Sequence, residues 1–383
     1  MADGLPACVP LPERAICLHI GVHKTGTTAL QAALAATRPE LRRHGVSYPG
    51  SRVAHHGAAM AVLERSWGWG DRGGQLMDAG VFDALTRQAR RQRGRVIVSS
   101  EQFCEATDAQ AARVVAGFGA ERTHVVIGLR NLGRLLPSSW QQYLKYGQTM
   151  PYERWLQRMF DPKGPGRTTP TFWRRNDHAA VVRRWAELVG AEQVTVLVLE
   201  EVGPSAQFVA FAQLLGVPSG VLLDHATLQP NRSMTAAEAE FLRRLNVAVK
   251  GQLGWADYER IVREGIARQL VEGRQPASDE PRLATPGWAL DAAAERGSLT
   301  VRALEETGVR VVGDRSLLAL RLPDQPAPPA RAADVLRTDD VVAVVAAQVL
   351  AAQTGDRVSG RARRVAGRAR RAVVGRVPGL GKG

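Results

Sequence analysis

Cysteine is scarce: Cys8, Cys17 and Cys104 are the only three in 383 residues, an odd and widely spaced set with no CxxC pair. That argues against a disulfide framework and a structural zinc site, and a reduced, cytoplasmic setting is expected. Long hydrophobic runs are lacking too. The longest, Val341 to Ala352, is interrupted by Gln348 and falls short of the ~20 apolar residues a membrane-spanning helix needs. The first fifteen residues have neither a basic n-region nor a continuous apolar stretch, so no secretory signal is expected. Lysine is nearly absent: Lys24, Lys145, Lys163, Lys250 and Lys382 are the only ones among 51 basic residues, the rest being arginine. Nor is there an H-E-x-x-H, a G-x-S-x-G or a kinase signature set, so metal-dependent and serine hydrolases lack support.

What is present is positive charge, +14 in all, unevenly spread. From Arg357 onward the chain carries eight Arg, one Lys and no acid, so the tail supplies +9 and the other residues only +5. The tail has no aromatic residue on which bases could stack, so no specific nucleic-acid partner is expected. It reads as a disordered solubilising extension or as a weak contact for an anionic surface. With 45% hydrophobic residues, the body has ample material for a buried core.

Short, apolar, β-branched segments at Ala15 to Ile20, Arg95 to Ser99, His124 to Leu129 and Val194 to Leu199 alternate with helical patterns. This predicts an α/β fold: a P-loop-type parallel sheet flanked by helices, with ligands beyond the C-terminal ends of the strands. Thr235 caps a predicted helix reaching about Lys250, another spans Trp255 to Leu270, and Gly308 to Leu322 reads as a strand, a turn and an apolar closing piece. The predicted organisation is an N-terminal extension (1–13), a catalytic domain with a helical C-terminal part (14–322), a linker and short helix (323–356) and the basic tail (357–383).

Between the first strand and its helix lies GVHKTGTT, residues 21–28. Backbone N–H groups that converge at a helix N-terminus lack helical partners and bind anions. Gly21 and Gly26 permit that backbone, Lys24 adds a point charge, and Thr25, Thr27 and Thr28 offer hydroxyls. The order is not Walker A, because Lys24 precedes Gly26.

In that context His23-Lys24-Thr25-Gly26-Thr27-Thr28 resembles the 5'-phosphosulfate loop of sulfotransferases that use 3'-phosphoadenosine 5'-phosphosulfate (PAPS), particularly the bacterial sulfotransferase-like proteins. In that family an Arg ends a later strand and a Ser follows eight residues on, together holding the 3'-phosphate. HVVIGLRNLGRLLPSSW offers Arg130 and Ser138 at those positions, with Arg134 and Ser139 as nearby competitors, Asn131 as helix cap and Pro137 as an expected kink. Two features depart from the family: Ala29 stands where cytosolic members often have Trp, and their C-terminal Arg-Lys-Gly loop is absent. Asn231-Arg232-Ser233 is the nearest basic loop, making Arg232 a candidate nucleotide contact. Trp140 and Trp173 are candidate adenine partners, with a buried core role as the alternative reading for each.

The resemblance implies a base that is His or Glu and a reaction without metal. Glu101, just past a strand, and His55 and His56, after the loop helix, are the candidates, and the sequence leaves them open. His19 is expected to point into the sheet, while His23 lines the site. The implied activity is transfer of a sulfuryl group from PAPS to an acceptor hydroxyl of a carbohydrate, lipid or secondary metabolite. A kinase-like nucleotide enzyme and an inactive member that binds anionic surfaces are the alternatives. Gly68 to Gly73 matches G-x-G-x-x-G, but no dinucleotide site is expected there.

Overall fold

The computed structural model describes residues 8–324 apart from 165–168, 170, 201, 204, 227–231 and 274, together with 342, 345, 346 and 349. Among the described residues eight strands are formed: β1 (Ile16–His19), β2 (Val46–Ser47), β3 (Ser66–Trp67), β4 (Gln75–Leu76), β5 (Arg95–Ser99), β6 (Thr123–Leu129), β7 (Val194–Val198) and β8 (Arg310–Gly313). Six make one sheet in the order β2-β5-β1-β6-β7-β8, and every pairing within it is parallel. The remaining two, β3 and β4, pair antiparallel as a separate hairpin.

Parallel strands are covered on both faces, which is why their residues read as continuous apolar runs. Ile16, Leu18, Val96, Val98, Val125 and Ile127 face one core, under the helices Gly80–Arg90, Asp108–Phe118, His178–Val189 and Gly287–Thr307. Their neighbours Cys17, Ile97, Val126 and Leu197 face the other, under Thr27–Ala36 and Ala206–Leu215. A third core joins the helices Leu132–Leu144, Tyr152–Met159 and Ala236–Val249 with the segment 255–273. It holds Trp140 and Trp155, whose large apolar areas are almost wholly withdrawn from water.

The expected strands are all present within a residue or two. The helix capped by Thr235 runs Ala236–Val249, with a full capping box between Thr235 and Glu238. The segment after Trp255 departs from the expected α-helix: from Tyr258 it winds with π geometry as far as Gly273, apart from Arg268. Gly308 to Leu322 resolves into β8 and a single 3-10 turn, Arg315–Leu318. The G-x-G-x-x-G segment lies in the β3–β4 hairpin, contains the 3-10 turn Gly70–Arg72 and leads into β4, so it opens no helix. Within the expected linker and short helix of 323–356, the described residues Val342, Val345, Ala346 and Val349 are helical, and Ala346 and Val349 join the third core. The rest of 325–356, the first seven residues and the basic tail lie outside the described residues.

The strand order reverses at β1. The chain leaves it towards β5 on one side and returns through β6 on the other, opening a crevice at the C-terminal end of β1. Three loops meet there, starting near residues 20, 100 and 130.

Candidate active site

Gly26 caps the helix Thr27–Ala36 in the left-handed region, at φ 84°, and no side chain caps the helix start. The N–H groups of Thr27 and Thr28 are therefore available to an anion, while that of Ala29 donates to the Gly26 carbonyl at 3.1 Å. Lys24 adopts φ 68°, a conformation that costs a non-glycine residue about 1 kcal/mol or more and that concentrates at functional sites. The loop is tied down from behind: Thr25 Oγ1 donates to the Val22 carbonyl at 2.8 Å, and Val22 N–H donates to Gly128 O on β6 at 2.8 Å. Thr27 is buried, whereas Thr28 is exposed.

A cavity of about 1150 Å³ opens over this loop. His23, Lys24, Thr25, Gly26, Thr27 and Thr28 all line it, as do Arg130, Ser138, Glu101, His56 and Arg232. Lys24 Nζ donates to Gln142 Oε1 at 3.0 Å. Desolvation by the surrounding walls, followed by the nearby Lys145 and Arg175, draws Lys24 down to about 8, which still leaves it mostly charged at neutral pH. Arg130 donates from Nε to Glu200 at 2.8 Å and from Nη1 to the Lys24 carbonyl at 3.4 Å, so the strand-end arginine braces the loop. Asn131 caps the helix Leu132–Leu144, which runs on through Pro137, and Ser138 donates to the Leu135 carbonyl at 3.0 Å. Gln142 lies four residues beyond Ser138 and faces the same cavity.

Glu101 abuts the loop, since a Cβ on Gly21 would lie 2.7 Å from its own Cβ. Its Oε2 accepts from Gln31 Nε2 at 3.2 Å, and its Oε1 lies 3.8 Å from His56 Nε2. Burial would raise its pKa, but His56, His23 and hydrogen bonds outweigh that and leave it lowered, so the carboxylate is ionised and able to accept a proton. His56 Nδ1 lies 2.8 Å from Ser100 Oγ.

His55 has a different place. Its Nδ1 accepts from Ser99 N–H at 3.1 Å and its Nε2 donates to the Pro49 carbonyl at 2.9 Å, behind the cavity wall. Burial pushes it down to about 4, and both ring nitrogens are committed to backbone, which corrects its candidacy as base. His19 is buried with its ring edge-on to Phe211 at 4.8 Å. Arg232 reaches the cavity, but its guanidinium is held in a fork by Glu238, at 2.7 and 2.8 Å. Trp140 and Trp173 donate to the carbonyls of Met150 and Met159 and do not line the cavity.

Several residues at the site gave no signal in the sequence. Glu105, 2% exposed, is gripped by Arg65, by Arg175 at 3.6 Å and by His23 Nε2 at 2.9 Å. Burial opposes its charge, yet Arg175, His23 and Arg65 hold its carboxyl well below the usual range. Arg175 also donates to the Tyr143 hydroxyl. On the opposite wall the β3–β4 hairpin presents Trp67 and Trp69. The Arg263 guanidinium lies 4.6 Å from the Tyr146 ring and 5.3 Å from that of Trp67. Arg263 pairs with Glu259 at 2.9 Å and Arg268 with Glu264 at 2.7 Å. Gln142 alone was within reach of sequence reasoning, being one turn past Ser138.

Among the described residues, no group of three or more His, Cys, Asp or Glu is arranged to hold a metal ion, and no helix is long and apolar enough to cross a membrane. The three cysteines are free and buried. Among solved structures the chain is similar to a sulfotransferase from Alicyclobacillus acidocaldarius. The match has 19% sequence identity and a TM-score of 0.41, and covers 65% of this chain and all of that one. No protein-family model matches the chain, and no curated protein matches it either.

Proposed function

We propose that the chain is a cytoplasmic PAPS-dependent sulfotransferase that sulfates an acceptor hydroxyl on a small molecule or glycan. The observation that carries this reading is the convergence on one cavity of the uncapped loop with Lys24, the Arg130–Ser138 pair and the Glu101–His56 pair, from three separate strand ends. The pocket suits a nucleotide with phosphates at both ends of its ribose: the N–H groups of the loop and Lys24 would take the 5'-phosphosulfate, and Arg130 and Ser138 the 3'-phosphate.

Bound PAPS supplies an activated sulfuryl group on an anhydride oxygen. The residues of the chain position the reactants and compensate charge, as in phosphoryl transfer. Glu101 takes the proton of the acceptor hydroxyl, whose oxygen bonds to sulfur while the bond from sulfur to the 5'-phosphate oxygen breaks. The products are a sulfate ester and 3'-phosphoadenosine 5'-phosphate. Lys24 and the helix N-terminus offset the charge that gathers on the phosphate oxygen. His56, beside Glu101, stabilises the carboxylate and is the second candidate for the proton.

Calorimetry with 3'-phosphoadenosine 5'-phosphate against ADP tests the reading. Selective binding of the former is expected, and Arg130→Ala should weaken it about 10- to 100-fold with little effect on ADP. Equal affinity for the two nucleotides would sink the assignment.

A further inference from the structure

The helix Leu132–Leu144 runs along the cavity and marks out distances in it. Ser138, Gln142 and then Lys145, at the end of the helix, all line the same space. At about 5.4 Å per turn, Lys145 lies one turn beyond the residue that holds Lys24 and roughly 10 Å beyond Ser138. It is therefore on the far side of Lys24 from the position proposed for the 3'-phosphate, the side left to an acceptor.

Charge pairing sets this residue apart. Each arginine of the cavity wall faces a carboxylate, as described above. Lys24 is bound to the neutral Gln142, and the Lys145 ammonium has no hydrogen bond or ion pair among the described residues. Glu264 and Glu272 act on Lys145 from a distance, but both are engaged by arginines, and Arg263 opposes them. Two of the chain's five lysines thus stand in one cavity without a carboxylate partner. If Lys24 serves the donor, Lys145 is a cation with no anion yet assigned. The aromatic rings of Trp67, Trp69 and Tyr146 are at the same end.

Resting on the sulfotransferase reading, we infer that the acceptor is a ring compound that carries an anionic group of its own, a carboxylate or a sulfate or phosphate ester, and that Lys145 binds that group. Lys145 is then a specificity residue that selects acceptors already negative before the new sulfate is added.

Matched acceptor pairs that differ by one anionic group test this, with the full chain and labelled PAPS. Suitable pairs are 4-nitrophenyl glucuronide with 4-nitrophenyl glucoside, and glucosamine 6-sulfate with glucosamine. The carboxylate pair and the sulfate pair separate the two sources of charge. The same compounds are titrated calorimetrically into the protein bound to 3'-phosphoadenosine 5'-phosphate, so binding is read even without turnover. The anionic member of at least one pair should be preferred about 10-fold or more, and Lys145→Met should collapse that preference while the nucleotide Kd moves less than about 3-fold. No preference in either pair, or a preference that survives Lys145→Met, overturns the inference. Loss of nucleotide binding by the unaltered chain overturns the sulfotransferase reading instead, which keeps the two failures apart.

Discussion

The two walls of the cavity are built by opposite means. The strand-end wall is made of backbone: a loop held by β6, a helix start, and side chains such as Glu101 and Arg130 projecting from the ends of β5 and β6. The facing wall is made of side chains drawn from the hairpin and the helical part, where Trp67, Tyr146 and Arg263 lean on one another. A wall fixed by sheet register fixes chemistry, because its atoms have few alternative positions. One assembled from side-chain contacts can change its residues without disturbing the sheet, and is suited to choosing the acceptor.

The largest expected effect breaks the strand-end wall chemically. Glu101→Gln should slow single-turnover sulfation by about 10²- to 10⁴-fold with nucleotide affinity retained. A variant that keeps its rate while His56→Ala loses it moves the base to His56. Next comes the buried carboxylate behind the loop. Glu105→Ala leaves Arg65 and Arg175 without their counter-charge and should cost about 3–5 kcal/mol in urea unfolding. Glu264→Ala on the partly exposed facing wall should cost about 1 kcal/mol or less. Similar losses from the two would erase the contrast.

Acid separates the regions in another way. His19, His55, His124 and His178 are pushed down to about 4 by burial, and all four lie in or beside the sheet. Their folded pKa values are below the unfolded value of 6.5, so the unfolded chain takes up protons that the native one refuses. Stability is full above pH 6.5 and falls as pH drops towards 4, by up to about 1.4 kcal/mol per histidine per unit. Melting temperature should decline across that window, and a flat profile from pH 7 to 4.5 would contradict it. A steric change probes the facing wall. Gly68 has φ 92°, and a Cβ there would come within 2.3–2.5 Å of the Trp255 ring. Gly68→Ala should destabilise by about 1–3 kcal/mol and raise the acceptor KM, leaving nucleotide affinity untouched.

The same contrast governs what could be read from the sequence. β1, the loop and its helix are contiguous, and β5, β6 and β7 are apolar runs whose composition reflects burial on both faces. Arg130 and Ser138 belong to one strand-to-helix stretch, so their spacing was visible. Glu105 and Arg175 meet only because a helix from another part of the chain packs beside the loop, and no local pattern anticipates a pair so far apart. The hairpin was hidden for a similar reason: β3 and β4 are two residues each, and Trp67 and Trp69 are held by Tyr146, Trp255 and Tyr258 rather than by a strand signal of their own. His55 shows how residue type alone misleads. Of two adjacent histidines, one faces the cavity and the other is a backbone clamp, a distinction set by helix phase and by what Ser99 and Pro49 offer.

The position of β1 also bears on how the molecule comes into being. β1 precedes in the chain both strands that flank it, so Ile16 waits for Val96, and then for Thr123, before both of its edges are satisfied. For that interval an apolar segment with two open edges is exposed, and pairings of such long range close slowly. The loop that gives the protein its chemistry takes its final shape only after the chain has returned from both flanks. Premature truncation anywhere before β6 would release a fragment with an unfinished sheet, a natural client for a chaperone.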